Sequence, residues 1–204
     1  PDAWSEALLA LDTIPTTRPL LRAAALLCAA TPPPPAPGPD PAAGAAAEQV
    51  LRRLKASNAE TERARRLVTL RADLFPADAS DADVRRWLHR VGPDLVPDTI
   101  RLHFAFWRAR HGALRPRPHR LPPAPGAADL ARRARRAGST LRHRPPLSVS
   151  DLAIGGDDLR ALGLQPGPRF GTILRALLER VLDQPELNTR ERLLELVRRE
   201  FATP

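Results

Sequence analysis

The residue types that usually perform catalysis or bind metals occur in this chain only in patterns that suit neither purpose. The histidines of the 204-residue sequence are His89, His103, His111, His119 and His143. None belongs to an H-E-x-x-H arrangement or has a carboxylate at metal-ligand spacing. The chain also contains no G-x-S-x-G, P-loop or G-x-G-x-x-G pattern. We therefore predict no catalytic residue and no metal ligand, and we interpret the histidines as surface or loop residues.

Two adjacent carboxylates, Asp157 and Asp158, are a weak candidate for a metal site. Phosphoryl-transfer metals need such carboxylates to converge with a third ligand, and the sequence offers none nearby. Because the pair follows Gly156, it is more typical of the start of a helix, where carboxylates cap free N–H groups. We expect this pair to cap the short helix DLRALG.

Residues 151–174, DLAIGGDDLRALGLQPGPRFGTIL, contain an unusual density of glycine and proline. Gly163 is expected to end the short helix in the left-handed conformation, and Pro168 to open the next helix. The start of that helix presents free N–H groups and a partial positive charge, with Arg169 beside it. Two interpretations stay open here, an anion-binding site and a plain helix–turn–helix arrangement.

The elements that position these residues are predicted to be helices throughout. Apolar residues recur at helical spacing, and no strand-length stretch alternates apolar and polar residues. Ser57 with Glu60, and Ser80 with Asp83, have the spacing of capping boxes. The fold class is therefore predicted to be all-α.

Two proline-rich segments separate the predicted helical regions. TPPPPAPGPDP at residues 31–41 predicts a polyproline-type loop, and ALRPRPHRLPPAP at residues 113–125 is both proline-rich and basic. We predict a helical body at residues 1–112, a Pro/Arg-rich linker at 113–126 and a small helical tail at 127–204.

Composition leaves two interpretations of the charge open. The chain has 32 Lys+Arg against 23 Asp+Glu, a net charge of +9, and Lys55 is its only lysine. A general bias of the composition toward arginine, unrelated to any binding partner, is one explanation of this excess. A polyanionic partner is the other, because guanidinium groups pair bidentately with phosphates. The single cysteine, Cys28, excludes an internal disulfide and is expected to be a buried apolar residue.

Location and completeness give further expectations. No apolar run is long enough to span a membrane, and no cleavable leader is visible, so a cytoplasmic location with no membrane partner is expected. The first residue is Pro1 rather than Met, which suggests a fragment or a processed chain.

The C-terminal segment LSVSDLAIGGDDLRALGLQPGPRFGTILRALLERVLDQPELNTRERLLEL resembles the C-terminal domain of bacterial CCA-adding tRNA nucleotidyltransferases. These are class II nucleotidyltransferases, which include bacterial poly(A) polymerases. LRRLKASNAETERARRLV is similar to the middle domain of that family, which often has a histidine-aspartate (HD) type helical fold, and SDADVRRWLHRVG is similar to the segment that follows. The resemblance extends from about Trp4 to Phe201.

The resemblance implies a catalytic head that this sequence lacks. Members of the family catalyse in an N-terminal head with a Gly-Ser motif and paired aspartates that hold magnesium, and a neck selects CTP and ATP. The chain therefore looks like body and tail only, catalytically silent and without a cofactor of its own. Its implied partners are tRNA and the missing head, in cis or in trans. The choice between adding CCA, CC or A would lie in that head and neck.

The HD-type metal ligands are also replaced in this comparison. Where HD-type relatives carry His-Asp, this chain has Cys28-Ala29, and where they carry a further His-Glu it has Asp40-Pro41. Arg71 occupies a third position, near which a histidine is found in relatives. Such a metal site needs a histidine–carboxylate cluster, so the resemblance implies a degenerate HD-like domain without metal.

In this family the body and tail are expected to contact the backbone of tRNA, whatever its sequence. A-form RNA is recognised through shape, phosphates and 2′-hydroxyls, and arginines supply salt-dependent affinity. The predicted RNA-binding residues are Arg132, Arg133, Arg135, Arg136, Arg169 and Arg190. For Arg190 an ion pair with Glu186 is the competing interpretation, and for the four-arginine cluster it is a solvated helix face.

The alternative function is a stand-alone, non-catalytic helical module for protein interaction, or a decayed paralogue. In that case the proline-rich segment at 31–41 is a candidate ligand for an aromatic-groove domain. The reading frame upstream of Pro1 separates the two hypotheses, because a head with Gly-Ser and Asp-x-Asp motifs in frame supports the first and a start codon there supports the second.

Overall fold

The protein is helical throughout the part that the structure describes. The computed structural model describes residues 2–31, 37–111 and 126–201. Over these ranges it contains ten α-helices, two 3₁₀ turns and no strand, which confirms the all-α class. The helices are α1 Ala3–Leu11, α2 Pro19–Ala29, α3 Pro41–Arg53, α4 Asn58–Thr69, α5 Asp81–Val91, α6 Val96–Arg110, α7 Ala127–Arg142, α8 Gly156–Ala161, α9 Pro168–Asp183 and α10 Arg190–Phe201. The 3₁₀ turns are Val149–Asp151 and Pro185–Leu187.

Contacts between residues divide the chain into two compact units. The first unit is Pro1–Ala77 with Pro93–Arg136, and the second is Asp78–Gly92 with Ala137–Pro204. Helix α5 therefore belongs to the second unit, and α7 contributes its first ten residues to the first unit and its last six to the second. The predicted boundaries do not coincide with these units, and residues 113–125 of the predicted linker lie outside the described residues. The body, linker and tail stay predictions.

In the first unit, α2 is the central helix and packs against α1, α3, α4 and α6. Its small and aliphatic residues, such as Leu21 and Ala24, are buried. The most extensive contact between two helices in this unit is that of α3 with α4, and Gly44 lies in it. A Cβ at Gly44 would lie 2.1 Å from Oγ1 of Thr69 on α4. A glycine at this position lets the two helix backbones approach.

In the second unit, α9 is the central helix. It packs against α5, α10 and both 3₁₀ turns. Apolar residues at helical spacing along α9, Ile173, Leu177 and Val181, are at most 1 % exposed, and Trp87 of α5 is equally buried. This spacing is the amphipathic pattern expected for a helix with one face in a core.

The local signals for helix ends are confirmed. The Ser57–Glu60 and Ser80–Asp83 capping boxes both form at the starts of α4 and α5. Gly163, after α8, has φ +83° and so adopts the left-handed conformation predicted for it. Among the described residues no helix is both long and apolar enough to cross a membrane.

Candidate functional site

Helix α7 presents part of its arginine cluster to solvent. Arg132 is 61 % exposed and forms an ion pair with Asp129 one turn earlier. Arg135 is exposed as well. Exposed ion pairs between neighbouring helix residues contribute little stability, roughly 0.3–0.5 kcal/mol. The Arg132 guanidinium is therefore held only weakly, and it can exchange its carboxylate for another anion.

Arg133 lies on the opposite side of the same helix, against its unit. It donates to the backbone carbonyl of Phe75 at 3.0 Å and pairs with Asp129, and its side chain is only 24 % exposed. Its spacing from the buried residues Leu130 and Ala137 gives the reason, since residues three and four apart share a helix face. That spacing was visible in the sequence and separates Arg133 from its neighbours. Arg136 is partly buried and also has contacts.

Arg169 of α9 is bonded to the end of another helix in its unit. Its Nη2 donates to the carbonyl oxygen of Phe201, the last residue of α10, at 2.9 Å. A cation near the carboxyl end of a helix satisfies a free carbonyl and interacts favourably with the helix dipole. The side chain thus has a structural partner at the far end of α10. The anion site expected beside the start of α9 stays a prediction.

Arg190 pairs with Asp158, so the suggested ion pair with Glu186 is wrong. Its Nε and Nη2 donate to Oδ1 of Asp158 at 3.0 and 2.8 Å. The other oxygen of Asp158 accepts the N–H of Gly155 at 3.0 Å, which confirms that this carboxylate caps α8. The Gly155 N–H and then Arg190 hold the pKa of Asp158 below its ordinary value.

A buried arginine joins three distant segments of the first unit. Arg71 donates to the backbone carbonyl of Cys28 at 2.7 Å and to Oδ2 of Asp40 at 2.7 Å. It also donates to the hydroxyl of Thr31 at 2.7 Å, and only 7 % of its side chain is exposed. The Asp40 carboxylate caps α3 through the N–H of Ala43, and this bond, with Arg71 after it, lowers the pKa of Asp40.

Cys28, Asp40 and Arg71 are the positions that the family resemblance aligned with HD-type metal ligands. The structure brings these three residues together around a guanidinium. Burial raises the pKa of the Cys28 thiol to about 12, so the thiol stays neutral and is a poor metal ligand. Within the described ranges, no group of three or more His, Cys, Asp and Glu side chains is arranged to hold a metal ion.

Beside this cluster the first unit contains a cavity of about 830 Å³. Its volume lies in the range of small-molecule sites, roughly 300–1,000 Å³. The polar or ionisable side chains on its wall are those of Glu6, Cys28, Thr31, Arg71, His103, Trp107, Arg110, His111, Asp129 and Arg133. The cavity is hereafter called the first-unit cavity. Sequence reasoning did not find it, because its wall comes from five separated parts of the chain.

His103 lies on the wall of this cavity and is partly buried, whereas the sequence pattern predicts that the histidines are surface or loop residues. The pKa of His103 is lowered from 6.5 to about 4, mainly by burial and in smaller part by the positive charges of Arg110 and Arg133. A hydrogen bond with the backbone of Asp73, and then the Asp73 charge, act in the opposite direction. Within the described part of the chain, Nε2 of His103 has no hydrogen-bond partner.

Comparison with known proteins finds a similarity over part of the chain. The chain is 35 % identical over 136 residues to a protein of Deinococcus radiodurans described as an A-adding tRNA nucleotidyltransferase. The match covers 64 % of this chain but only 28 % of the length of that relative. No family model and no solved structure matches the chain. The similarity supports a relationship to the tRNA nucleotidyltransferase family.

Proposed function

We propose that this chain is the tRNA-binding C-terminal portion of a tRNA nucleotidyltransferase of the class II type. The observation on which the proposal rests is the 35 % identity to the A-adding tRNA nucleotidyltransferase over 136 residues. The segments quoted above for the family resemblance lie in both units and supply the finer assignment to body and tail. The excess of arginine is consistent with a partner of high negative charge density.

In this proposal the exposed face of α7 contacts the RNA backbone. Arg132 and Arg135 project into solvent. The ion pair of Arg132 with Asp129 is exposed, so little free energy is lost when an RNA phosphate takes the place of the Asp129 carboxylate. Such contacts recognise the shape of A-form RNA rather than its sequence. The protein can then accept tRNAs of any sequence.

The remaining predicted arginines have other partners that RNA must displace. Arg169 caps α10 and Arg190 pairs with Asp158, both through exposed side chains of the second unit. Arg133 and Arg136 are partly buried. We rank Arg132 and Arg135 as the main contacts, Arg169 and Arg190 next, and Arg133 and Arg136 last.

Nucleotide transfer is assigned to a head domain outside this chain, acting in cis or in trans with magnesium. The chain alone is expected to be inactive, and it binds no cofactor of its own in this proposal. The segment around Cys28, Asp40 and Arg71 is interpreted as a degenerate HD-like domain. Its buried guanidinium supplies a fixed positive charge in place of a metal ion. We place the whole protein in the cytoplasm, where tRNA is processed.

The test is a binding measurement with intact tRNA and an unstructured RNA of equal length across a salt series. We expect tighter binding of folded tRNA and a steep loss of affinity with salt. The double variant Arg132→Ala/Arg135→Ala should lower the slope of log K against log salt by about two.

Arg52→Ala/Arg53→Ala is the matched control, because it removes the same charge from exposed positions on α3. It should leave the slope nearly unchanged. Equal, weak binding of both RNAs, or equal effects of both double variants, would contradict the proposal. In that case the arginine excess would reflect a general compositional bias with no role in RNA binding.

A second candidate function is a protein-interaction module, and one observation favours it. Trp4 and Leu8 lie four residues apart on α1 and are 53 % and 57 % exposed. Large apolar side chains adjacent on one helix face are typical of docking surfaces. Trp4→Ala/Leu8→Ala should abolish association with a separate head domain while leaving tRNA binding intact, if this second function is correct.

A further inference from the structure

We propose that the first unit contacts the RNA backbone at a second place, through a group of arginines gathered around the buried carboxylate of Asp98. These arginines are Arg18, Arg63 and Arg101, and together with Asp98 they are called the Asp98 cluster. The inference rests on the proposed function, because it names a further surface for the same partner. None of the six arginines predicted from the sequence belongs to this cluster.

The cluster brings together three elements of the first unit. Arg18 directly precedes α2, Arg63 lies on α4, and Arg101 lies on α6. Nη1 of Arg18 and Nη1 of Arg101 each donate to Oδ1 of Asp98 at 3.0 Å. Nη2 of Arg63 donates to the other carboxylate oxygen at 2.8 Å. Because Arg18 and Arg101 share one oxygen atom, their nitrogens lie no further apart than twice that distance, which is close enough for both to donate to one phosphate group.

The carboxylate of this cluster is covered, whereas its cations face solvent. The Asp98 side chain is only 10 % exposed, and the three arginine side chains are 37 to 43 % exposed. Asp98 neutralises one of three permanent positive charges, and the exposed carboxylate of Asp94, 3.4 Å from Arg63, offsets a second. The surface that the cluster presents to solvent is therefore positive.

Most N–H donors of two of these arginines are not used within the protein. A guanidinium group has five N–H donors. Among the residues that the structure describes, the guanidinium groups of Arg18 and Arg101 each donate one hydrogen bond, to Asp98. The remaining donors belong to partly exposed groups and are available to an anion. Repulsion among three guanidinium groups held at one carboxylate further favours an anion at this position.

A fourth arginine extends the positive surface along α6. Arg108 lies two turns after Arg101 on the same helix face, about 10 Å further along the axis. It is exposed, and within the described part of the chain it forms no ion pair. Arg101 and Arg108 both line a cavity of about 230 Å³ whose described wall includes no carboxylate. This cavity shares no described wall residue with the first-unit cavity, so the surface is separate from that site.

The spacing of these arginines favours a chain of phosphates over a single small anion. Asp98 holds the Arg101 guanidinium one turn before Arg101, on the side away from Arg108. One phosphate bound at the Asp98 cluster therefore leaves Arg108 free, whereas an RNA backbone supplies a second phosphate to it. Such contacts position the RNA and carry no information about its sequence.

The first experiment needs no substitution. Phenylglyoxal modifies accessible arginines, and mass spectrometry locates the modified side chains in the presence and absence of intact tRNA. We expect tRNA to slow the modification of Arg101 and Arg108 several-fold, and to leave Arg52 and Arg53 on α3 at their rate in the free chain. Equal rates at all four positions would overturn the proposal. Equal protection by poly-L-glutamate of the same total charge would assign the surface to an acidic protein segment and also overturn it.

Substitution gives the second test. Arg101→Gln/Arg108→Gln should lower the slope of log K against log salt for intact tRNA by about two, because two phosphate contacts are lost. Arg63 still bonds to Asp98 in this variant, so the buried carboxylate keeps a cation. The matched control, Arg52→Gln/Arg53→Gln, removes the same charge from exposed positions and should leave the slope nearly unchanged.

Circular dichroism shows whether each variant is folded. If the double variant is not, Arg108→Gln alone decides, with an expected change in slope of about one. Equal slopes for the chain with and without these substitutions would overturn the proposal.

The results also separate this inference from the proposed function. If Arg132→Ala/Arg135→Ala weakens the salt dependence of tRNA binding and Arg101→Gln/Arg108→Gln does not, the second contact is wrong and the proposed function stands. If the chain without substitutions binds folded and unstructured RNA equally and weakly, both are wrong.

Discussion

The two units of this protein differ in how they distribute charge. The first unit contains nineteen Lys+Arg against eleven Asp+Glu, and the second contains thirteen against twelve. The net positive charge therefore belongs almost entirely to the first unit, whereas the glycine-punctuated segment that resembles the family so closely lies in the second. The glycine-rich segment and the excess of positive charge thus lie in different units.

The units also differ in how deeply they bury their ion pairs. In the first unit Asp98 is 7 % exposed and accepts from Arg18, Arg63 and Arg101 at 2.8 to 3.0 Å, and Arg71 is buried with Asp40. In the second unit the Arg190–Asp158 pair has its arginine 61 % exposed. Breaking a buried ion pair costs far more free energy than breaking an exposed one. The stability of the first unit therefore depends on its ion pairs more than that of the second.

The largest expected loss of stability comes from breaking the buried Arg71–Asp40 ion pair. Arg71→Met should destabilise the first unit by about 3–5 kcal/mol, because it leaves the Asp40 carboxylate without its cation. Arg190→Met in the second unit should cost about 1 kcal/mol or less. Urea denaturation followed by circular dichroism measures both changes. Similar losses for the two variants would abolish the contrast between the units.

A smaller effect is expected from acidification of the first unit. The folded-state pKa of His103, about 4, lies below its ordinary value of 6.5. The unfolded chain therefore binds a proton more readily between these values, and stability falls as the pH is lowered from about 6.5 to about 4. The loss from this group is at most about 3 kcal/mol.

The measurement is urea denaturation of the unmodified chain and of His103→Gln at pH 7 and pH 4.5. Carboxylates titrate equally in both proteins over this range, so the difference between them isolates the histidine. The variant should lose less stability on acidification. A parallel loss in the two proteins would show that His103 is accessible to solvent in the folded state.

The smallest expected changes in stability come from replacing a helical glycine by alanine, and they have opposite signs in the two units. Gly44→Ala should destabilise the first unit by about 1–3 kcal/mol, because its Cβ would meet the Thr69 side chain at 2.1 Å and the Arg65 carbonyl at 3.1 Å. Gly171→Ala in α9 should stabilise the second unit by about 0.5–1 kcal/mol, because the nearest atom is the mobile end of Arg175 at 3.9 Å. Thermal unfolding measures both. Stabilisation by Gly44→Ala would show that α3 and α4 separate easily.

Among the residues discussed in the sequence analysis, the local structure was predicted correctly where the partner lies nearby in the chain. The cap formed by Asp158 and the left-handed Gly163 followed from neighbours within a few residues. The partner of Arg190 is 32 residues away, and the nearer Glu186 was the wrong choice. The RNA contacts of the six arginines stay predictions, although their exposures now rank them.

The sequence by itself determined the all-α class, the capping boxes and the apolar faces of α5 and α9. These depend on residues three or four apart, whose interactions a helix fixes locally. The tertiary structure alone decided that Arg71 joins Cys28 and Asp40, that His103 and Arg133 line one cavity, and that α5 groups with the C-terminal helices. Those contacts join residues about 30 to 100 positions apart, and burial, which sets their charge states, exists only once the helices have packed.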